Sequence, residues 1–213
     1  MIKVEEITKK FKNNVVLDNV SMTFKEGNIY GLIGRNGSGK SVFLKVLCGF
    51  YKPNSGKVYY DKIDLFETDS FPPDTRCMIE KPNFIPDLSG FENLKLLANI
   101  QNKISDEQII DTMKKLHLDK EINKSFSKYS LGTKQKLGIA QVLMENPKVI
   151  ILDEPFNGIE NTTVDEVRKI LLEEKKKGKI IIIATHIKDD LEKLVDEVYE
   201  FDNGCVTKMN KVK

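Results

Sequence analysis

The segment GLIGRNGSGKS, Gly31 to Ser41, puts four glycines into eleven positions. Glycine weakens helix and strand interiors because it has the most backbone freedom to lose, so this stretch must be a connection. The run IYGLIG before it is apolar enough for a buried strand. The run KSVFLKVLCGF after it places Val42, Leu44, Val46 and Leu47 on a mostly apolar helix that ends near Gly49. Between strand and helix, Gly34-Arg35-Asn36-Gly37-Ser38-Gly39-Lys40-Ser41 matches GxxxxGK[ST] in full and reads as a phosphate cradle. Its glycines let successive N–H donors turn inward around phosphate oxygens. The helix N-terminus near Gly39 adds the positive end of its dipole. Lys40 can reach the β- and γ-phosphates, and the Ser41 hydroxyl is a ligand for Mg2+. The expected nucleotide-binding set runs from Gly34 to Ser41 and includes Val42.

The rest of the chain alternates. IKVEEITKKF and VVLDNVSMTF show partial period-two patterning around the turn KNN, and KEGN is a second turn. YKPNSGKVYYDKIDL reads as a turn and a short strand, RCMIE as a strand before the proline-broken loop KPNFIPDLSG. From Phe91 to Met144 the period becomes helical, in FENLKLLANI, DEQIIDTMKKLHL and SLGTKQKLGIAQVLM. In the second of these, Ile109, Ile110, Met113 and Leu116 recur behind the capping candidate Ser105. Then come strand VIILDE, helix TTVDEVRKILLEEKKK stopped by Gly178, strand IIIIATH, helix KDDLEKLVDEV and a hairpin around Asn203-Gly204. Strands apolar throughout suit a parallel sheet covered on both faces.

Composition narrows the function. A net charge of +2 without an aromatic-rich basic stripe gives no nucleic-acid surface. The lysines sit among acids, as in LLEEKKKGK, and read as a solvated face. Cys48, Cys77 and Cys205 are odd in number and far apart in sequence, so neither a zinc site nor a disulfide framework is expected, and a reducing cytoplasm fits. The N-terminal MIKVEEITKK has no apolar signal region, and the longest apolar runs are too short to span a bilayer. Any membrane role is expected to come through a partner.

VIILDEP supplies the companion of the cradle. Its strand ends in Asp153, which brings a carboxylate to the Mg2+ shell, and Glu154 beside it is placed to polarise a water that attacks the γ-phosphate. With these motifs in order, the chain resembles the ATP-binding subunits of ABC transporters over nearly its whole length. YSLGTKQKLGIAQVL looks like the family's signature segment, IIIIATH like its switch strand, and MIEKPNFIPDLSGFENL like the loop that links the ATP site to the membrane partner. The resemblance implies an ATP hydrolase in which Glu154 is the general base and His186 senses the γ-phosphate. It also implies that Phe11 stacks on adenine and that Ser130 and Gly132 close over the nucleotide of a second subunit. Mg2+ would be held by Ser41, Asp153 and Glu80. The fold it implies is α/β: a P-loop NTPase with a mostly parallel core sheet, an N-terminal antiparallel β part and a helical subdomain insertion. Residues 1–213 would be one domain, with a core of 1–87 and 146–213 and a helical part of 88–145.

Four positions, in three motifs, depart from the family pattern. Glu80 stands where glutamine is usual, Leu131 and Thr133 replace a glycine and a glutamine of the signature, and Glu160 replaces an aspartate in FNGIE. Glu80 and the SLG variant resemble the branch of exporters that handle bacteriocins, lantibiotics, bacitracin and similar drugs. The expected partners are a second copy, head to tail (or a similar ATPase subunit), and an integral-membrane permease, with no nucleic acid. The chain would then lie on the cytoplasmic face of the membrane. The alternative reading is a soluble ABC-type ATPase that serves as an assembly or regulatory module.

Overall fold

Two sheets organise the chain, and one of them carries every loop that matters for chemistry. A computed structural model describes residues 1–67 and 71–209, the side chain of Thr162 excepted; residues 68–70 and 210–213 of the expected domain lie outside it. The strands are β1 (Ile2–Phe11), β2 (Asn14–Phe24), β3 (Asn28–Ile33), β4 (Ser55–Tyr60), β5 (Ile63–Asp64), β6 (Thr75–Met78), β7 (Val149–Asp153), β8 (Ile180–Ala184), β9 (Glu197–Asp202) and β10 (Cys205–Met209). The helices are α1 (Lys40–Leu47), α2 (Gly90–Gln101), α3 (Asp106–Lys115), α4 (Leu131–Leu143), α5 (Asn161–Lys176) and α6 (Lys188–Leu194). An antiparallel sheet has the order β2-β1-β4-β5, and a second sheet the order β10-β9-β3-β8-β7-β6. In the second, β9, β3, β8, β7 and β6 pair in parallel, and only β10 runs antiparallel.

Every residue of β7 and β8 is buried, and the period of two explains why a continuous apolar run is needed. Val149, Ile151, Ile180, Ile182 and Ala184 face a core shared with α1 and the antiparallel sheet. Ile150, Leu152, Ile181 and Ile183 face the opposite core, shared with α2, α3, α4 and α5. The sheet is therefore the middle layer of three. At the end of the chain, Asn203 and Gly204 take φ of 47° and 81°, the pair of positive values that a two-residue hairpin turn requires.

Several element ends fall short of the sequence reading, such as α3, which stops at Lys115 rather than Leu118, and two of them have a visible cause. α6 stops at Leu194 rather than continuing through Val198. Asp196 accepts the Ile29 N–H on Oδ2 and donates its own N–H to the Ile29 carbonyl, both at 2.8 Å, so the chain is drawn into β9 before another helical turn can form. β7 likewise ends at Asp153, because Glu154 adopts φ of 48°.

Candidate active site

In an open parallel sheet, ligands bind outside the carboxyl ends of the strands. Four connections meet there: the cradle after β3, Glu80 after β6, Glu154 after β7, and His186 after β8. Between them lies a cleft of about 310 Å³ lined by Val16, Asn36, Gly37, Gly39, Lys40, Ser41, Val42, Glu80, Gln135, Asp153 and Glu154.

The cradle needs its glycines at two places above all. Gly34 has φ of 138°, and a Cβ there would lie 2.2 Å from the Phe201 carbonyl oxygen; Gly39 has φ of 109°, with the Val16 carbonyl oxygen 2.7 Å from a built Cβ. Gly39 opens α1 without any side-chain cap, and no acid lies in the first turn. By contrast, Ser89, Ser105 and Ser130 cap α2, α3 and α4. The unpaired N–H groups of the first turn of α1 and its positive dipole end are thus left for an anion. The Ser38 hydroxyl is buried in the same loop without a hydrogen-bond partner. Lys40 is buried, and its Nζ donates to the carbonyls of Gly34 at 2.7 Å and Arg35 at 3.1 Å. Burial lowers the pKa of its ammonium, opposed by the nearby carboxylates Glu154 and Asp153. A cation held by neutral carbonyls near two carboxylates has gained little in return for its desolvation, and phosphate oxygens would supply the missing charge.

The Ser41 hydroxyl donates to Asp153 Oδ2 at 2.7 Å. One hydroxyl and one carboxylate, both hard oxygen donors, suit Mg2+, which takes one or two carboxylates and completes its shell with water and substrate phosphates. No cluster of three or more His, Cys, Asp or Glu side chains that could hold a metal ion occurs among the described residues. Glu154 has one oxygen, Oε1, 2.9 Å from His186 Nδ1, while Oε2 is buried and without a partner. Its backbone is clamped on both sides: the N–H donates to the Ala184 carbonyl at 2.9 Å, and the carbonyl accepts from Gln135 Nε2 at 3.0 Å. An orphaned carboxylate oxygen, on a residue that lines the cleft together with the cradle, can take a proton from a water.

The other predicted residues lie at the edge of the cleft or beyond it. Glu80 lines it, but its carboxylate accepts from Lys45 Nζ at 2.5 Å and its side chain is 66% exposed; this pairing raises the Lys45 pKa. Phe11 ends β1 with its ring 40% exposed, edge-on to Tyr51 at 5.3 Å and under Lys9 Nζ at 5.0 Å. Ser130 caps α4, its Oγ accepting the Thr133 N–H at 3.2 Å. Gly132 packs so closely that a Cβ would be 2.6 Å from the Gly158 carbonyl oxygen. Phe11, Ser130, Gly132 and His186 do not line the cleft, nor do Gly34, Arg35 and Ser38 of the cradle loop.

Gln135 and Lys45 were not anticipated. The signal for Gln135 exists: it shares a helical face with Ile139 and Val142, which are buried, so an amide on that face demands a partner. Lys45 carries no such mark, because its partner is set by the path of a loop.

Residues 17–157 match the family model described as ABC transporter. Over 212 residues the chain is 42% identical to the uncharacterized ABC transporter ATP-binding protein YybJ of Bacillus subtilis (strain 168), covering 100% of this chain and 97% of that one. It is 34% identical over 211 residues to the bacitracin transport ATP-binding protein BcrA of Enterococcus faecalis, covering 96% of this chain and 67% of that protein. Among solved structures, an ATP-binding subunit of an ABC transporter superposes with a TM-score of 0.89 at 25% identity, covering 99% of this chain and 90% of the other.

Proposed function

The chain belongs to the ABC transporter family as an ATP-binding, ATP-hydrolysing protein, and we propose from this premise that it drives a separate membrane permease that exports peptide antibiotics or related drugs. The observation that carries the catalytic part is the convergence of Ser41, Asp153 and the orphaned oxygen of Glu154 below an uncapped helix N-terminus. The cradle N–H groups and Lys40 hold the phosphates, and Ser41 and Asp153 hold Mg2+. Held there, the ion would neutralise phosphate charge. Glu154 accepts the proton of the attacking water while His186, bonded to its other oxygen, faces the γ-phosphate.

The transport part is supported by similarity to a bacitracin transport ATP-binding protein and by the molecule's surface. No described helix is long and apolar enough to cross a membrane, so a transport role needs a membrane partner. A groove of about 580 Å³ runs beside α2 and β6, lined among others by Phe50, Phe71, Leu97 and Ile100. Phe71 and Ile100 are 71% and 76% exposed, the kind of apolar rim that a partner covers. Ser130 and Gly132, away from the cleft, support a head-to-tail dimer in which each copy completes the other's site.

The test is Glu154→Gln, which keeps shape and loses the base. With Mg2+ and ATP this variant should bind nucleotide, shift from monomer to dimer by light scattering and hydrolyse ATP at least a hundredfold more slowly, about the lower end of what a general base contributes. Wild-type turnover would remove Glu154 from the base role. Failure of the chain to co-purify with any integral-membrane protein from its native membrane would favour a soluble ATPase module instead.

A further inference from the structure

The strongest unassigned feature is a buried ionic hub behind the two loops that carry Glu154 and His186. Arg168, in the middle of α5, and Asp190, in α6, are both buried, Asp190 completely. Nε of Arg168 donates to Asp190 Oδ1 at 3.0 Å, and a second guanidinium nitrogen bonds the same oxygen. The remaining nitrogen donates to Asp165 at 2.8 Å and Asp189 at 2.9 Å, and Lys193 joins Asp189 at 2.9 Å. The guanidinium also lies 5.8 Å from the ring centroid of Phe156, two residues after Glu154.

The other oxygen of Asp190 points toward the catalytic side. Asp190 Oδ2 accepts from the Thr185 hydroxyl at 3.0 Å, and the same hydroxyl accepts the Ile187 N–H at 3.2 Å. Asp190 donates its own N–H to the Ile187 carbonyl at 3.2 Å. His186 is the residue between these two anchors, and its Nδ1 meets Glu154 Oε1 at 2.9 Å. Two guanidinium nitrogens converging on one oxygen of a buried carboxylate make charge-assisted bonds that a single point charge would not reproduce, and removing one partner leaves the other charge buried and unpaired. This arrangement is stiffer than a lone surface turn carrying a histidine would be.

We propose that Arg168 is a positioning residue for ATP hydrolysis, acting through Asp190 and Thr185 to fix the turn that presents His186 to Glu154. Its contact with Phe156 places the same guanidinium against the segment that leaves Glu154, so one side chain braces both catalytic loops. The inference rests on the reading that His186 and Glu154 act in hydrolysis, and the test separates the two.

Thr185→Val removes the link and leaves the ion pair intact; Arg168→Lys keeps charge but loses the converging pair of nitrogens; Thr185→Ser is the conservative rescue. Each is made alone and with His186→Ala, and steady-state ATP hydrolysis is measured. Thr185→Val and Arg168→Lys should lower kcat about tenfold with KM for ATP changed less than about twofold, the pattern of a lost transition-state interaction. Thr185→Ser should restore most of the rate. In the His186→Ala background neither substitution should lower kcat further by more than about twofold, because a residue that acts through His186 has nothing left to position. The chain has two histidines, so the His186 imidazole nitrogen signals can be assigned by difference, and Thr185→Val should shift them in the folded protein. Wild-type rates in both single variants would overturn the proposal. So would undiminished further losses in the His186→Ala background, or unshifted His186 signals beside a lowered kcat. Wild-type turnover in His186→Ala itself would instead overturn the reading of His186. Should Arg168→Lys not fold, Thr185→Val decides alone, since it disturbs no charge.

Discussion

Gln135→Ala tests how Glu154, the proposed base, is held. Gln135 is buried in α4, and its amide is the side-chain donor that meets the Glu154 carbonyl at 3.0 Å. Glu154 carries φ of 48°, a left-handed conformation that costs a non-glycine residue about 1–3 kcal/mol and persists only where its surroundings impose it. Without Gln135 the carbonyl keeps only the longer bond from the Asn157 N–H at 3.3 Å, a contact within the same turn that moves with it. The hydrogen bond itself contributes about 0.5–1.5 kcal/mol net. Because Gln135 borders the open cleft, water can replace it and the stability loss should stay at about 1–2 kcal/mol, a fall in Tm of about 2–8 °C for a chain of this size. A protein stable by about 5–15 kcal/mol remains folded after such a loss, so unfolding cannot account for lost activity. A carboxylate displaced by about 1 Å can cost up to about a hundredfold in rate. The expected outcome is therefore kcat reduced about 10- to 100-fold in a phosphate-release assay, with ATP affinity by calorimetry within about threefold of wild type. A wild-type kcat in Gln135→Ala, whatever happens to Tm, would show that the Glu154 backbone is held without this bond.

Two further substitutions probe the neighbouring loops. Gly39→Ala puts a Cβ 2.7 Å from the Val16 carbonyl oxygen at φ of 109°, so strain and overlap should destabilise the protein by about 2–4 kcal/mol and weaken ATP binding more than tenfold; unchanged affinity by calorimetry would mean that the cradle does not depend on this turn. For Glu80 the ion pair with Lys45 is largely solvated, so Glu80→Ala should alter stability by less than about 1 kcal/mol yet lower turnover and uncouple transport in the reconstituted complex. Glu80→Gln should be much milder, and wild-type hydrolysis and transport in both would leave Glu80 a surface residue.

What could be read in the sequence divides by range. Elements whose partners are periodic or adjacent were legible: the apolar strands β7 and β8, the serine cap of α3, the Asn-Gly hairpin turn and the glycine cradle each follow from a few neighbouring residues. The elements that resisted reading depend on partners far away in the chain. α6 is cut short by Ile29, 167 positions before Asp196, and no pattern within KDDLEKLVDEV records that contact. Arg168 stands in VRKILLEEKKK, where its neighbours belong to a solvated face, and only the fold shows it buried against Asp190. Glu80 was readable as a departure from glutamine, but not its lysine, because Lys45 and Glu80 meet only after α1 and β6 have docked.

The same division runs through the site. The groups proposed to touch phosphate and its ion lie in contiguous motifs, because a cradle and a strand end must present several atoms at once. Each group that moves or takes a proton is instead held by a residue from another element: the Glu154 carbonyl by Gln135 of α4, and the His186 turn by Asp190 and, through it, Arg168 of α5. α4 also begins with the Ser130 cap and lays Gly132 against the Gly158 carbonyl, so one rigid helix touches the chain both at Glu154 and four residues beyond it. A displacement of α4 relative to β7 would therefore pull on the base and on the following loop together. The physical consequence is that chemistry at the cleft can be made sensitive to whatever pushes on α4, without any change in the cradle that binds the nucleotide.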